Sequence, residues 1–262
     1  YFAEIEFEFM NIGIQNKSNE RLDVVVEGSD TDLTIIMVHG HGTGKDEYAN
    51  LFPDISQHIS SLARIIRFDF SSYGLSEGRQ EDADLNKLAD DLNAVLVWVK
   101  KTYGGRIILL AHSLGSLVTR VLSPTGIEKI IFTGITPPDA NAHADSTIKR
   151  LLSRPGGVYN NKGVSIYPRK DGTIQKIGSN HWTVLRSLDP LKLTAYLAQK
   201  TELIIIKPKQ DEIIGGVKTT NAYKNIPNVT YIELDGDHNF TSPQDREVQL
   251  KTIAGLIKKA NN

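Results

Sequence analysis

Short apolar runs recur along this chain, with room for about one helix between most neighbours, and that spacing constrains the fold more than any other feature. Residues 33–38, 63–69, 106–110, 127–132, 202–207 and 229–234 are each of strand length and rich in Ile, Leu, Val and Phe. Runs apolar at nearly every position suit strands buried on both faces, as in a parallel sheet, better than strands with one wet face. Between them lie stretches of helical period. Residues 84–101 carry Leu85, Leu88, Leu92, Val95, Leu96 and Val99 on one stripe, and Gly104-Gly105 ends it. Helices are also expected at 47–62, 114–122 and 244–259. The order β-α-β-α implies an α/β fold with a doubly wound, mostly parallel sheet. An edge hairpin is expected ahead of it, with arms near 2–9 and 20–27.

The rhythm breaks between residues 137 and 200. The buried-strand pattern stops there, and ten Lys and Arg face four Asp. Residues 164–168 and 173–177 flank Arg169-Lys170-Asp171-Gly172, which reads as a hairpin. The expected organisation is therefore a core of residues 1–136 and 201–262, with residues 137–200 inserted between two strands as a cap holding a hairpin at 164–177. At 262 residues the chain is long enough for such a domain.

Several function classes are disfavoured by composition. A net charge of −1 offers no global field for nucleic acid or an anionic membrane. No apolar run reaches the ~18 residues of a transmembrane helix. The absence of Cys removes disulfides, thiolate metal sites and a cysteine nucleophile together. These features fit a cytoplasmic protein acting on a small molecule. The missing initiator Met leaves a processed leader open, and oligomeric state has no signature here.

Chemistry concentrates where the third long strand turns into a helix, at Leu110-Ala111-His112-Ser113-Leu114-Gly115. A serine on such a turn lifts its Oγ clear of the backbone, and the helix N-terminus behind it favours developing negative charge. The turn demands small neighbours, which Ala111 and Gly115 supply. Alone, Ser113 would read equally as a helix N-cap. A nucleophilic serine needs a base and an orienting acid. His238 follows the last strand, and Asp211 follows the strand at 202–207. Both lie just past strand ends, where open α/β sheets place their sites. Glu212, Asp235 and Asp237 compete as the acid, and Asp237, adjacent to His238, reads better as a turn residue. The glycines of His39-Gly40-His41-Gly42-Thr43-Gly44 let backbone amides approach a substrate. The N–H groups of His41 and Leu114 would then hold an oxyanion.

Together, His39-Gly40-His41-Gly42, Asp69-Phe70-Ser71-Ser72-Tyr73-Gly74-Leu75-Ser76, Ala111-His112-Ser113-Leu114-Gly115, Asp211 and His238 resemble the α/β-hydrolase superfamily over roughly residues 30–136 and 201–260. The resemblance implies a Ser113–His238–Asp211 triad, a structural role for the Asp69–Ser76 loop, and no cofactor. Two departures stand out: Ala111 replaces the usual glycine, and Pro208-Lys209 occupy a turn that usually contains one. In placement the cap is similar to those of cinnamoyl and feruloyl esterases and of monoacylglycerol-lipase-like enzymes.

The implied reaction is hydrolysis of a carboxylic ester with a small or medium acyl or aryl group, through an acyl-enzyme on Ser113. Thioesterase, lactonase, C–C hydrolase and aminopeptidase chemistry uses the same constellation; an intact triad argues against a non-catalytic receptor, although some receptors on this fold keep theirs. A metal site begun by His39 and His41 would need further ligands nearby, and none is apparent; the expectation is no metal. His112, Tyr159, Tyr167 and Trp182 are candidate substrate contacts. His181-Trp182 with Tyr159 or Tyr167 also reads as the small core of the cap itself. The cap's cations either line the entrance and steer anionic substrates or form a solvated face.

Overall fold

A computed structural model describes residues 10–169, 172–215 and 220–258. Eight strands form one sheet in the order β1-β2-β4-β3-β5-β6-β9-β10. They are β1 (Met10–Gln15), β2 (Arg21–Gly28), β3 (Leu33–Val38), β4 (Arg64–Phe68), β5 (Arg106–His112), β6 (Lys129–Thr133), β9 (Glu202–Pro208) and β10 (Val229–Leu234). β2 runs antiparallel to β1 and β4, and every other pairing is parallel. The edge hairpin therefore pairs 10–15 with 21–28. The arm expected at 2–9, with Lys170, Asp171 and Lys259, lies outside the described residues.

The central strands are buried on both faces, as their unbroken apolar runs demand. Along β5, Ile107, Leu109 and Ala111 face one core while Ile108 and Leu110 face the other. The first core is closed by α2 (Leu85–Thr102) and α3 (Leu114–Leu122), the second by α1 (Leu51–Ile59) and α7 (Pro243–Lys258). Each fully buried Leu or Ile contributes about 1.5–3 kcal/mol. α2 starts where Asp84 accepts hydrogen bonds from the amides of Asn86 and Lys87. α1 is shorter than the expected 47–62. Glu47, Ala49 and Asn50 have φ of 58°, 54° and 54°, outside the right-handed helical region.

From β3 the chain crosses to β4 on one side and returns to β5 on the other. The carboxyl ends of β3 and β5, paired at Val38 and Ala111, therefore flank a topological switch point, where a crevice opens in such sheets.

Between β6 and β9 the chain leaves the sheet. It forms α4 (Ala140–Leu152), a separate antiparallel hairpin of β7 (Val164–Pro168) and β8 (Ile174–Gly178), then α5 (Ser179–Ser187) and α6 (Pro190–Ala198). α6 packs on α3 and leads directly into β9. The two helices are tied by Arg120, whose fully buried guanidinium donates to Ser116 O, Thr194 Oγ1 and Tyr223 Oη. No described helix is long and apolar enough to cross a membrane.

Candidate active site

Ser113 sits between β5 and α3 with φ 50° and ψ −118°, a conformation that non-glycine residues rarely adopt. Such strain costs on the order of 1–3 kcal/mol and persists only where the surroundings enforce it. Here the Ser113 amide donates to Thr133 O on β6 (3.0 Å), and its carbonyl accepts from Ser116 N (3.0 Å) and Ser116 Oγ (2.6 Å). Gly115 is sterically obligatory. A Cβ there would lie 2.2 Å from Val38 O and 2.7 Å from His39 O, so its absence lets the α3 N-terminus close on the end of β3. Ser113 opens onto a cavity of about 420 Å³.

The acid and base loops are stitched together before their side chains meet. Gln210 N donates to Gly236 O (3.0 Å), and Gly236 N donates to Gln210 Oε1 (2.7 Å). β9 runs through Pro208, and the turn with Pro208-Lys209 in place of glycine still delivers Asp211 to His238. Asp211 Oδ2 lies 3.0 Å from His238 Nδ1, while Asp211 Oδ1 accepts from the amides of Ile213 (3.1 Å) and Ile214 (2.8 Å). Burial alone would raise the Asp211 carboxyl. The hydrogen bond and charge of His238, the Lys207 ammonium and the Ile214 amide outweigh it and hold the group well below the usual carboxylate range.

The competing acids are engaged elsewhere. Asp237 accepts from the amides of Asn239 and Thr241, Asp235 pairs with Lys209, and Glu212 accepts from the His238 backbone N–H (3.1 Å). Ser113 and His238 line the same cavity, and among the described contacts no hydrogen bond joins them. Catalytic hydrogen bonds often tighten only around substrate.

His41 and Leu114 also line the cavity that holds Ser113. The neighbouring Gly40 amide is already taken, because it donates to the buried Glu47 carboxyl. A Cβ on Gly40 would lie 3.1 Å from Ser113 Cβ, so this glycine permits the close approach of loop and nucleophile. His39 is structural. Its Nε2 accepts from Phe70 N (3.0 Å) and its Nδ1 faces Gly40 O (2.9 Å), which leaves neither nitrogen for a metal. Among the described residues no three His, Asp or Glu side chains gather as a metal ion would require. Asp69 caps its own loop by accepting from Lys45 and Leu75 N.

Of the four candidate substrate contacts, two reach the cavity. His112 is buried, bonds Thr133 Oγ1 (2.9 Å) and packs its ring against His238 at 4.7 Å. Tyr167 is on the wall. Tyr159 and Trp182 are absent from the lining; they pack edge to face at 5.7 Å, with Trp182 Nε1 donating to Ser165 Oγ. They form the core of the segment: Trp182 is buried on α5, and Tyr159, in the loop ahead of β7, packs against it. Sequence reasoning did not single out Glu47, which it assigned to a helix, or distinguish Arg150, Arg154 and Arg169 from the segment's other cations. Only the pairing of α4 with β7 brings those three to one wall.

The arrangement supplies a strained serine on a helix N-terminus, an imidazole held by an ionised carboxylate, and two peptide segments crowding the serine. The sequence profile of the Alpha/beta hydrolase family matches residues 35–257. An esterase from Pyrococcus furiosus superposes with a TM-score of 0.73 at 19% identity, covering 97% of this chain and 91% of that one. Est1E from Butyrivibrio proteoclasticus, solved with ferulic acid bound, gives 0.76 at 16% identity over 95% and 98% of the two chains. At these identities the likeness is one of fold. An uncharacterised protein of Acanthamoeba polyphaga mimivirus is 25% identical over 252 residues, 93% of this chain and 79% of that protein.

Proposed function

The chain belongs to the alpha/beta hydrolase family, and from that premise we propose that it is a serine carboxylesterase acting on small or medium acyl or aryl esters. The observation that carries this reading is the 3.0 Å contact of Asp211 with His238 on the same cavity as the strained Ser113. His238 takes the Ser113 hydroxyl proton as Oγ attacks the ester carbonyl. The amides of His41 and Leu114 receive the developing oxyanion, and Asp211 stabilises the imidazolium. The imidazolium then protonates the departing alcohol, and water, activated by the same imidazole, releases the acid. Residues 137–200 act as a cap over this site. The esterases among its structural relatives, one with ferulic acid bound, support an ester substrate.

The reading is tested by labelling with a fluorophosphonate probe and by hydrolysis of p-nitrophenyl butyrate, each run beside Ser113→Ala. Labelling and turnover in the parent, and neither in the variant, are expected. Hydrolysis surviving Ser113→Ala overturns the mechanism, and a parent that takes no label points to a ligand receptor on this fold. Thioester and aminoacyl-arylamide substrates in the same assay separate the related chemistries.

A further inference from the structure

One guanidinium behind the cavity joins two of the loops that line it. Arg246 stands in the first turn of α7, is 8% exposed and is absent from the lining. Its Nη2 donates to Asn239 O (3.0 Å) and its Nε to Phe240 O (3.0 Å), the two carbonyls that follow His238. Its other edge meets the loop ahead of α1. Nη1 and Nη2 lie 3.4 and 3.3 Å from Ala49 O, and Nη1 lies 3.5 Å from Asn50 O. Nη1 also pairs with Asp54 on α1. His238 and Asn239 on the first loop, and Glu47 and Tyr48 on the second, line the cavity that holds Ser113.

Both loops carry backbone strain at the residues Arg246 holds. Three of its four carbonyl partners, Ala49, Asn50 and Phe240, have φ of 54°, 54° and 51°. Non-glycine residues keep such angles only where their surroundings enforce them, and they cluster at working sites. The Phe240 ring is fully buried in the second core, in space that Gly236 leaves open: a Cβ on Gly236 would lie 2.6 Å from Phe240 Cδ1. Side chain and carbonyl of Phe240 are therefore both fixed, two residues after the base. On the second loop, Glu47 accepts from the Gly40 amide, and Gly40 closes on Ser113. Arg246 thus reaches His238 through one loop and the nucleophile through the other. Arginine suits this task because its five N–H donors lie in one rigid plane, whereas a lysine ammonium is a compact point charge.

We propose that Arg246 is a positioning residue that clamps loop 238–240 to loop 47–50 and so holds His238 in reach of Ser113. The proposal rests on the esterase reading of that pair and adds a residue that acts on it from behind the cavity. The competing role is a plain tie between α1 and α7 through Asp54, whose side chain is 45% exposed.

Two variants separate these roles. Arg246→Lys keeps the charge but loses the fork, and Asp54→Asn removes the ion pair but leaves the carbonyl contacts. Hydrolysis of p-nitrophenyl butyrate is measured where melting curves show each protein folded. In Arg246→Lys, kcat is expected to fall about ten-fold with KM within about two-fold, the signature of a loss felt in the transition state. In Asp54→Asn, kcat stays within about two-fold of the parent, since a half-exposed ion pair contributes little. Hydrogen exchange gives a readout independent of turnover. The amides of Glu47 and Phe240, which donate to Gly44 O (2.9 Å) and Asp237 O (3.1 Å), should both exchange about ten-fold faster in Arg246→Lys. Parent-like kcat in a folded Arg246→Lys overturns the proposal, as does an equal loss in Asp54→Asn or faster exchange confined to one loop. If Arg246→Lys does not fold, the parent decides: the two amides opening with the same urea dependence support the clamp, and separate openings overturn it. A parent without ester turnover removes the esterase reading, and exchange still decides whether the loops are clamped.

Discussion

The Lys207 ammonium lies 2.9 Å from Asp211 Oδ2, the same oxygen that faces His238 Nδ1 at 3.0 Å, and both the lysine and the aspartate side chains are fully buried. A second acceptor, Gly215 O at 2.8 Å, fixes the ammonium in place. Lys207 thus acts on His238 through Asp211, as a positioning residue that shares the carboxylate and adds positive charge near the imidazole. Removing that charge in Lys207→Met stabilises the imidazolium. The acidic limb of the kcat/KM profile is then expected to move to higher pH. Stability falls as well. Breaking a buried pair costs about 3–5 kcal/mol when the remaining charge is left alone, and here His238 and two amides still serve Asp211, so the loss lies at or below that range. A variant that is less stable but titrates like the parent would confine Lys207 to a structural role.

Gly115 sets the distance between the nucleophile turn and the loop after β3. In Gly115→Ala the new methyl meets backbone oxygens of Val38 and His39, which cannot rotate away. Overpacking of this kind costs about 1–3 kcal/mol. The loop moves outward and takes the His41 amide with it, and loss of one oxyanion donor lowers kcat by about 10²–10³. The expected signature is a fall in kcat larger than any rise in KM. A stable Gly115→Ala protein with unaltered kcat would remove His41 from the oxyanion role.

What could be read without coordinates was whatever has a steric or periodic cause. β5 and α3 show in the sequence because unbroken aliphatic runs need two covered faces and because Ser113 needs Ala111 and Gly115 beside it. Asp211 and His238 show because strand ends on a doubly wound sheet converge. Lys207 was hidden inside a strand, where nothing local distinguishes a buried ammonium from an edge lysine. Glu47 looked helical, since positive φ at three non-glycine positions is imposed by tertiary contacts and has no composition signal. Tyr167 was indistinguishable from Tyr159, because which of the two faces the cavity depends on how β7 docks.

Glu47 separates hydrogen bonding from charge in this loop. Burial raises its carboxyl above the usual range, while the Gly40 amide, Tyr48 amide and Thr43 hydroxyl pull it back. Gln at this position keeps an acceptor for the Gly40 N–H, whereas Ala leaves that buried donor unmet at a cost of about 1–3 kcal/mol. Glu47→Gln is therefore expected to hold kcat/KM within a few-fold and Glu47→Ala to lose ten-fold or more. Equal damage from both substitutions would mean that the negative charge, and not the acceptor, is what the site needs.

Five histidines make the fold acid-sensitive in a definite window. Burial comes first among the causes for each of them. It lowers His39 and His181 to about 4 and His143 to about 3, and it pushes His41 and His112 well below their ordinary value. The unfolded chain takes up these protons near pH 6.5 and the native state does not, so stability declines as pH falls from 6.5 towards 4. Each proton contributes at most about 1.4 kcal/mol per pH unit, so His39, His112 and His181, the three that solvent hardly reaches, together remove several kcal/mol over about two units. Asp211 adds a separate term of the opposite chemical type. Its depressed carboxyl contributes stability above the ordinary Asp value, and that contribution is lost only as pH drops below about 4. Urea midpoints measured from pH 8 to 4 should be level above 7 and fall steeply between 6.5 and 4.5, with several protons taken up on unfolding. A profile that stays flat to pH 4.5 would show that these imidazoles are solvated or charged in the native protein, and with them would go the closed packing around the cavity.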